Sequence, residues 1–213
     1  MRLYKLSNKL VVRVKHNACE FLKGLTSNAL EAPRNAFLDI HGKIVASFDQ
    51  RVLSADEVQI VIEKQFFGRL KSHLGKFLML SGTDLEEEKQ KVYFDLDGKG
   101  LIVTDEELPA AVSEREFTLF RLKNNIPIQG TDYDEELLLN VGDEEFVSYT
   151  KGCYLGQEII ARVHYRSRPP KKLVVKSEDE CAPDEKNRMT SKTFDPQTRK
   201  TIGFVFVVNL KNG

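Results

Sequence analysis

The sequence predicts an α+β fold. Alternating apolar and polar residues recur in short runs, and these runs are joined by hairpin signals such as His41-Gly42 and Asp97-Gly98. Helical spacing appears only in a few isolated stretches, so strands and helices do not follow the strict βα alternation of a parallel sheet. The chain opens in β structure, with Leu10, Val12 and Val14 alternating with Val11, Arg13 and Lys15. A helix start follows, with Asn17 as N-cap and Glu20 reaching back to it. That helix carries Phe21, Leu22 and Leu25 toward a core and ends around Ser27-Asn28, with Pro33 in the loop beyond. AFLDI and KIVASF flank His41-Gly42 as a hairpin, and Val58, Ile60 and Ile62 mark another strand. Helical spacing over 65–75 puts Phe66, Phe67, Leu70 and Leu74 in the core, and FLML at 77–80 reads as a short buried strand. KVYFDLDGKGLIVT is a second hairpin whose Asp97-Gly98 turn accepts positive φ. Pro169-Pro170 divides residues 1–168 from a small β module at 169–213, too small to be stable alone.

The 213 residues hold 32 Lys+Arg and 32 Asp+Glu, a net charge of zero. That balance conceals segregation. From Asp84 to Glu145 there are 18 acidic and 6 basic residues, and the rest of the chain is basic by the same margin. The acidic runs DLEEE, DEE, DYDEE and DEE at 84–88, 105–107, 132–136 and 143–145 read as solvated loops and helix faces. From Lys151 to Lys176 the balance reverses, and RVHYRSRPPKK interleaves aromatic with basic residues. Such a patch suits an anionic partner: a polyglutamate tail, an acidic protein or RNA. RNA ranks lowest, because no RNA-recognition motif accompanies it.

Cys19, Cys153 and Cys181 are odd in number and lack CxxC spacing, which argues against a disulfide framework or a zinc ribbon. The four histidines lack metal-site spacing. The basic N-terminus has no long apolar core and no stretch approaches a membrane span, so the expectation is a cytoplasmic protein without a membrane partner. GxxxxGK[ST] and GxGxxG are both missing, and DGKG at 97–100 is a turn.

The stretch that carries chemistry is Lys151-Gly152-Cys153-Tyr154-Leu155-Gly156-Gln157-Glu158-Ile159-Ile160-Ala161-Arg162. Two glycines bracket the cysteine, and helical spacing begins at Gln157 with Ile159, Ile160 and Val163 as its apolar face. Cys153 thus precedes a helix N-terminus with Lys151 two residues away, and both favour a thiolate. A thiolate can be a nucleophile, a metal ligand or a redox sensor, while the bland alternative is an inert buried cysteine.

KGCYLGQEIIAR resembles the K-G-C-Y-x-G-Q-E signature of the YgfZ family, folate-binding proteins related to the glycine-cleavage T-protein, an aminomethyltransferase. FLKGLTSN at 21–28, AFLDIHGKIVASF at 36–48, RLKNNIPIQG at 121–130 and MTSKTFDPQTRKTIGFVFV at 189–207 resemble further family elements, in family order. The chain departs from the family in its short acidic middle, in Ala29 and Asn125, and in having no tryptophan. The resemblance implies small subdomains around a central channel that holds tetrahydrofolate, with a C-terminal β-barrel-like module. Cys153 would be the reacting thiol or a transient iron–sulfur cluster ligand, with Lys151 lowering its pKa. Gly152 and Gly156 would shape the turn, and Tyr154, Gln157, Glu158 and Arg162 would position the loop. Phe117, Arg121, Asn28 and Asp39 would be folate contacts.

The leading functional expectation is an accessory binding protein, expected to be monomeric. It would support assembly or repair of iron–sulfur clusters, and through them tRNA-modifying and other cluster enzymes, with iron–sulfur carrier or client proteins as partners. A folate-dependent aminomethyl transferase would need a carboxylate at the folate nitrogen, and Asp39 is its sequence candidate, against a plain hairpin role. A third expectation is a shortened paralogue that lost folate and serves as an interaction module.

Overall fold

A computed structural model describes residues 1–142 and 145–209, so Asp143 and Glu144 of the last acidic run lie outside the described residues. In chain order the elements are β1 (Leu3–Lys5), β2 (Lys9–Lys15), α1 (Ala18–Lys23), β3 (Arg34–Leu38), β4 (Ile44–Val52), β5 (Glu57–Glu63), α2 (Phe67–Ser81) and β6 (Asp84–Glu88). There follow β7 (Lys91–Asp95), β8 (Gly100–Thr104), α3 (Glu114–Lys123), α4 (Leu138–Val141), α5 (Gln157–Arg166), β9 (Lys171–Ser177), α6 (Pro183–Arg188), β10 (Thr190–Asp195) and β11 (Lys200–Val208).

A five-stranded antiparallel sheet, order β3-β4-β5-β2-β6, forms the centre. Its two faces are separated by strand alternation. Val12, Val14, Phe48, Val58, Ile60 and Ile62 point to one side and pack with Leu22 of α1 and Leu70 and Leu74 of α2. Val11 and Val61 point to the other side and meet Val92, Leu101 and Val103 of a three-stranded sheet, order β1-β7-β8. On that side, beside β3, Ala36 and Leu38 pack with Leu138, Ile160, Leu173 and Phe204. The expected mixture of strands and helices is therefore present. The module after Pro169-Pro170 is an open antiparallel sheet, order β10-β11-β9, and no closed barrel is formed among the described residues. Among the described residues, no helix is long and apolar enough to cross a membrane.

Several local expectations are corrected. FLML at 77–80 is the last full turn of α2, not a strand: the buried face Leu70–Leu74 continues to Leu78, while Met79 and Leu80 are 82% and 86% exposed. A four-residue apolar run has no period of its own, and the helix before it decides the outcome. Asn17 is left-handed and makes no side-chain cap, and α1 ends at Lys23 with Gly24 behind it. In the second hairpin the positive φ belongs to Lys99 (φ 52°), not to Asp97-Gly98. DLEEE at 84–88 is the strand β6 rather than a loop or a helix face. It is zipped to basic β2, where Glu88 accepts from Arg13 and Glu86 pairs with Lys15. Within DYDEE, Asp132 is buried.

Candidate functional site

The cysteine loop is held at both ends. At its end, Gly156 is the residue before α5, at φ 84°. A Cβ there would lie 2.5 Å from the Asp39 carbonyl oxygen and 3.4 Å from Gly42 Cα. Gly42, also at positive φ, sits against Ile159 and Ile160. The two glycines let α5 dock on the β3–β4 hairpin at a distance no side chain tolerates. Gly152 has open space around it and no such constraint, so of the two motif glycines only Gly156 shapes the loop by close approach.

At the start of the loop, the Lys151 ammonium donates to the main-chain oxygens of Thr26 (2.6 Å) and Asn28 (2.9 Å) and lies 5.2 Å from the centre of the Tyr154 ring. Burial pulls the Lys151 pKa down to about 8. Its bonds thus fasten the loop to the N-terminal segment. Tyr154 is buried, and burial raises its phenol pKa. Leu155 packs on the α1–α2 core, and its amide donates to Gly24 O. Gln157 opens α5, its amide bonding to Tyr154 O. Glu158 and Arg162 pair with each other at 3.3 Å on the exposed face of α5, 89% and 56% accessible. They do not hold the loop. Cys153 is exposed, at a concavity of about 430 Å³ lined also by Lys23, Glu31 and Lys151.

Of the four expected folate contacts, Phe117 and Arg121 line one small chamber and Asn28 the cavity beside it, whereas Asp39 lines neither. Asp39 is a turn carboxylate: its Oδ1 accepts from the amides of His41 (2.8 Å) and Lys43 (2.9 Å). That is the plain hairpin role. Asn28 Nδ2 donates to Arg34 O and Glu145 O, and its side chain lines a cavity. Phe117 is buried, with Tyr4 stacked on its ring at 4.2 Å. Arg121 is 4% exposed and its guanidinium is committed to Asp132 (2.8 Å), Ser191 Oγ (2.8 Å) and Ile126 O (3.1 Å). Asp132 in turn accepts from Thr190 Oγ1 (2.8 Å) and the Ile128 amide (2.9 Å). This cluster joins α3, the loop after it and the C-terminal sheet.

The cavity that Asn28 lines, of about 810 Å³, lies between the central sheet and the β7–β8 hairpin. Arg34, Asp49, Arg51, Gln59, Val61, Phe94, Lys99, Leu101, Asn124 and Ile126 contribute to its wall. A chamber of about 50 Å³ shares Arg34, Asp49, Phe94, Leu101 and Ile126 with it and reaches inward to Phe117, Arg121 and Tyr133. Burial disfavours the charge of Arg34, but Asp49 (3.5 Å) and Glu145 outweigh it and hold the guanidinium protonated. Arg121 Nε is buried in the chamber wall without a hydrogen-bond partner.

Sequence reasoning missed most of this wall. Ser47, Asp49 and Arg51 share one face of β4, and Gln59 lies on the cavity side of β5 beside Val61. A period-two polar stripe continuing into a central strand was the signal available. None of the basic residues from 162 to 176 lines the cavity. The cavity and the cysteine concavity share no lining residue; segment 28–33 separates them, with Asn28, Ala32 and Pro33 toward one and Ala29, Leu30 and Glu31 toward the other.

The two groups implied by the resemblance fit differently. The cavity of about 810 Å³, whose wall mixes apolar side chains such as Phe94, Leu101 and Ile126 with polar and charged ones, has the size for a folate-sized molecule, and the unsatisfied Arg121 Nε belongs to the small chamber beside it. Among the described residues no three His, Cys, Asp or Glu side chains gather as metal ligands, so the donor set does not fit a resident cluster.

No protein-family model matches the chain, and no curated protein sequence matches it. Among solved structures it is similar to the crystal structure of glycine cleavage system aminomethyltransferase T from Bartonella henselae, with a TM-score of 0.70 and 13% identity, covering 97% of this chain and 78% of that one. At this identity the likeness is one of fold: the chain has the fold of an aminomethyltransferase T.

Proposed function

We propose that this chain is a reduced-folate-binding accessory protein of the YgfZ type, which supports iron–sulfur cluster assembly or repair through Cys153. The observation that carries the reading is the cavity of about 810 Å³ in a fold shared with an aminomethyltransferase. The KGCYLGQE loop stands across segment 28–33 from that cavity. Phe94, Leu101 and Ile126 offer apolar surface to the ring system of tetrahydrofolate. The folate would supply one-carbon or redox chemistry, and the chain would bind it and limit its exposure to water. An exposed thiol provides one cluster ligand, so the cluster is cargo whose other ligands come from a carrier or client protein.

Titration calorimetry with tetrahydrofolate tests the cavity. Saturable heat is expected, and no heat at high micromolar folate returns the chain to the role of an interaction module without folate. Complementation tests the thiol. Cys153→Ala is expected to lose cluster-enzyme activity in cells, and full rescue of a deletion strain by this variant removes Cys153 from the mechanism. The aminomethyl transferase reading is weakened because both amides that Asp39 accepts belong to its own turn, and Asp39 is not part of the cavity wall. Methylene-folate formed from a lipoyl carrier would restore it.

A further inference from the structure

Helix α2 covers one face of the central sheet with Phe67, Leu70 and Leu74 and turns its other side to solvent. At 3.6 residues per turn, Gly68, Ser72, Gly75 and Met79 share that outer side, with Leu80 beside Met79. Met79 and Leu80 are almost fully exposed, and Phe77 is partly so. They form an apolar knob at the C-terminal end of the helix. Gly68 and Gly75, each with open space where a Cβ would stand, leave a hollow nearer its N-terminal end. Charge is divided along the same line. Lys64 and Lys71, exposed and without an ion pair among the described residues, stand at the N-terminal end, where Lys71 Nζ rests 4.9 Å from the Phe67 ring centre. Asp84 and Glu87, both exposed, follow the C-terminal end in β6. Glu87 shares a sheet face with Leu85, which packs on the α1–α2 core, so it stands on the α2 side. It has no ion pair among the described residues, and Asp84 has only His16, at 3.7 Å. The first turn of α2 holds no acidic residue and its last turn no basic one, so its own side chains leave the helix dipole uncompensated.

We propose that this face of α2 is the contact surface of a two-fold homodimer, in which the α2 helices of two copies pack antiparallel. The knob of each copy then meets the hollow of the other. The Lys64 and Lys71 end of each faces the Asp84 and Glu87 end of the other, and the two helix dipoles run in opposite senses. A patch that complements itself in shape and in sign after a half-turn calls for a second copy of the same chain. A lipid surface fits less well, because carboxylates flank the knob as lysines flank the hollow. The zero net charge leaves little long-range repulsion between copies. A dimer thus takes the place of the monomer expected from the sequence. No lining residue of the large cavity or of the cysteine concavity comes from α2, so the pairing takes no residue from either. The dimer does not depend on the folate reading. A helix of 15 residues, about 22 Å long, offers less than the roughly 800 Å² per partner of a standard interface, so the association is weak. A dissociation constant on the order of 50 µM is expected.

Sedimentation velocity over about 5 to 500 µM chain brackets that value, in reducing buffer so that exposed Cys153 cannot cross-link. Met79→Glu/Leu80→Glu is expected to weaken the dimer about tenfold or more, and Ile40→Ser, at an exposed apolar residue elsewhere, to leave it unchanged. Lys64→Glu/Lys71→Glu and Asp84→Lys/Glu87→Lys are each expected to be monomeric alone and to associate when mixed in equal amounts, because their altered ends complement each other. Urea melts check that every variant is folded. A wild type that stays monomeric throughout, a dimer that survives Met79→Glu/Leu80→Glu or is lost in Ile40→Ser, or charge variants that fail to associate on mixing overturns the proposal. Binding of the wild type to phosphatidylserine vesicles without self-association overturns it as well, in favour of a lipid surface.

Discussion

The cysteine loop and the cavity lie on either side of segment 28–33, and they are built in opposite ways. The loop is continuous in sequence: residues 151–162 supply its lysine anchor, its thiol, its close-packed glycine and its helix. The cavity is assembled from strand faces and turns between Asn28 and Glu145, and no two of its charged residues are adjacent in the chain. The loop therefore depends on backbone fit at single points, whereas the cavity depends on the elements around it staying in register. Breaking each kind of construction has a different signature.

The largest effect is expected at the inner end of the cavity. Asp132→Ala leaves Arg121 charged and buried, and deprives Thr190 Oγ1 and the Ile128 amide of their acceptor. A loss of about 3–5 kcal/mol is expected for an uncompensated buried charge. Urea denaturation of the variant measures it, and a loss near zero would mean that the cluster does not tie α3 to the C-terminal sheet. The next effect belongs to the loop. Gly156→Val places a branched side chain at positive φ against Asp39 O, and about 3 kcal/mol is expected from the clash and the strained backbone together. Gly24→Ala, where nothing lies within 4 Å, is the control and is expected to be nearly neutral.

The smallest effect is a pH slope. Lys151 has a pKa of about 8 in the folded chain and an ordinary value of 10.5. Between these values the unfolded chain holds more protons, so this group makes the protein more stable as pH rises through the window. Lys151→Met is expected to flatten that rise by on the order of 1 kcal/mol, since the lysine is only partly buried. Denaturant melts on both sides of pH 8 read the difference. An unchanged slope would show that burial does not depress the lysine.

The same contrast explains what was legible in the sequence. The hairpin at His41-Gly42, the strand at 58–62 and the helix beginning at Gln157 are set by neighbours in the chain, and their patterns show directly. The run at 77–80 and the acidic strand 84–88 misled because their conformations are imposed from outside, by a helix already under way and by the basic strand β2. In the site, Cys153 and Gly156 stood out because their chemistry is local. Asp49, Arg51 and Lys99 did not, because they meet only after β4 and the β7–β8 hairpin are brought together by the packing of two sheets. Arg121 was expected as a folate contact, and its guanidinium bonds to Asp132 and Ser191 instead join parts of the fold.

The acidic strand β6 has one more consequence. The central sheet has two outer edges. At the β3 edge, residues 26–27 bond to Phe37 and Ala36 and cover the strand. β6 forms the other edge, and there Glu86 and Glu87 are exposed. A chain with no net charge has little long-range repulsion to keep its copies apart, and an uncovered strand is a template for another. Glu86 and Glu88 are paired with Lys15 and Arg13, so the glutamate charge that this edge turns outward is that of Glu87. An exposed charge on an edge strand disfavours the addition of another strand, so Glu87→Val is the change on this edge that removes that protection.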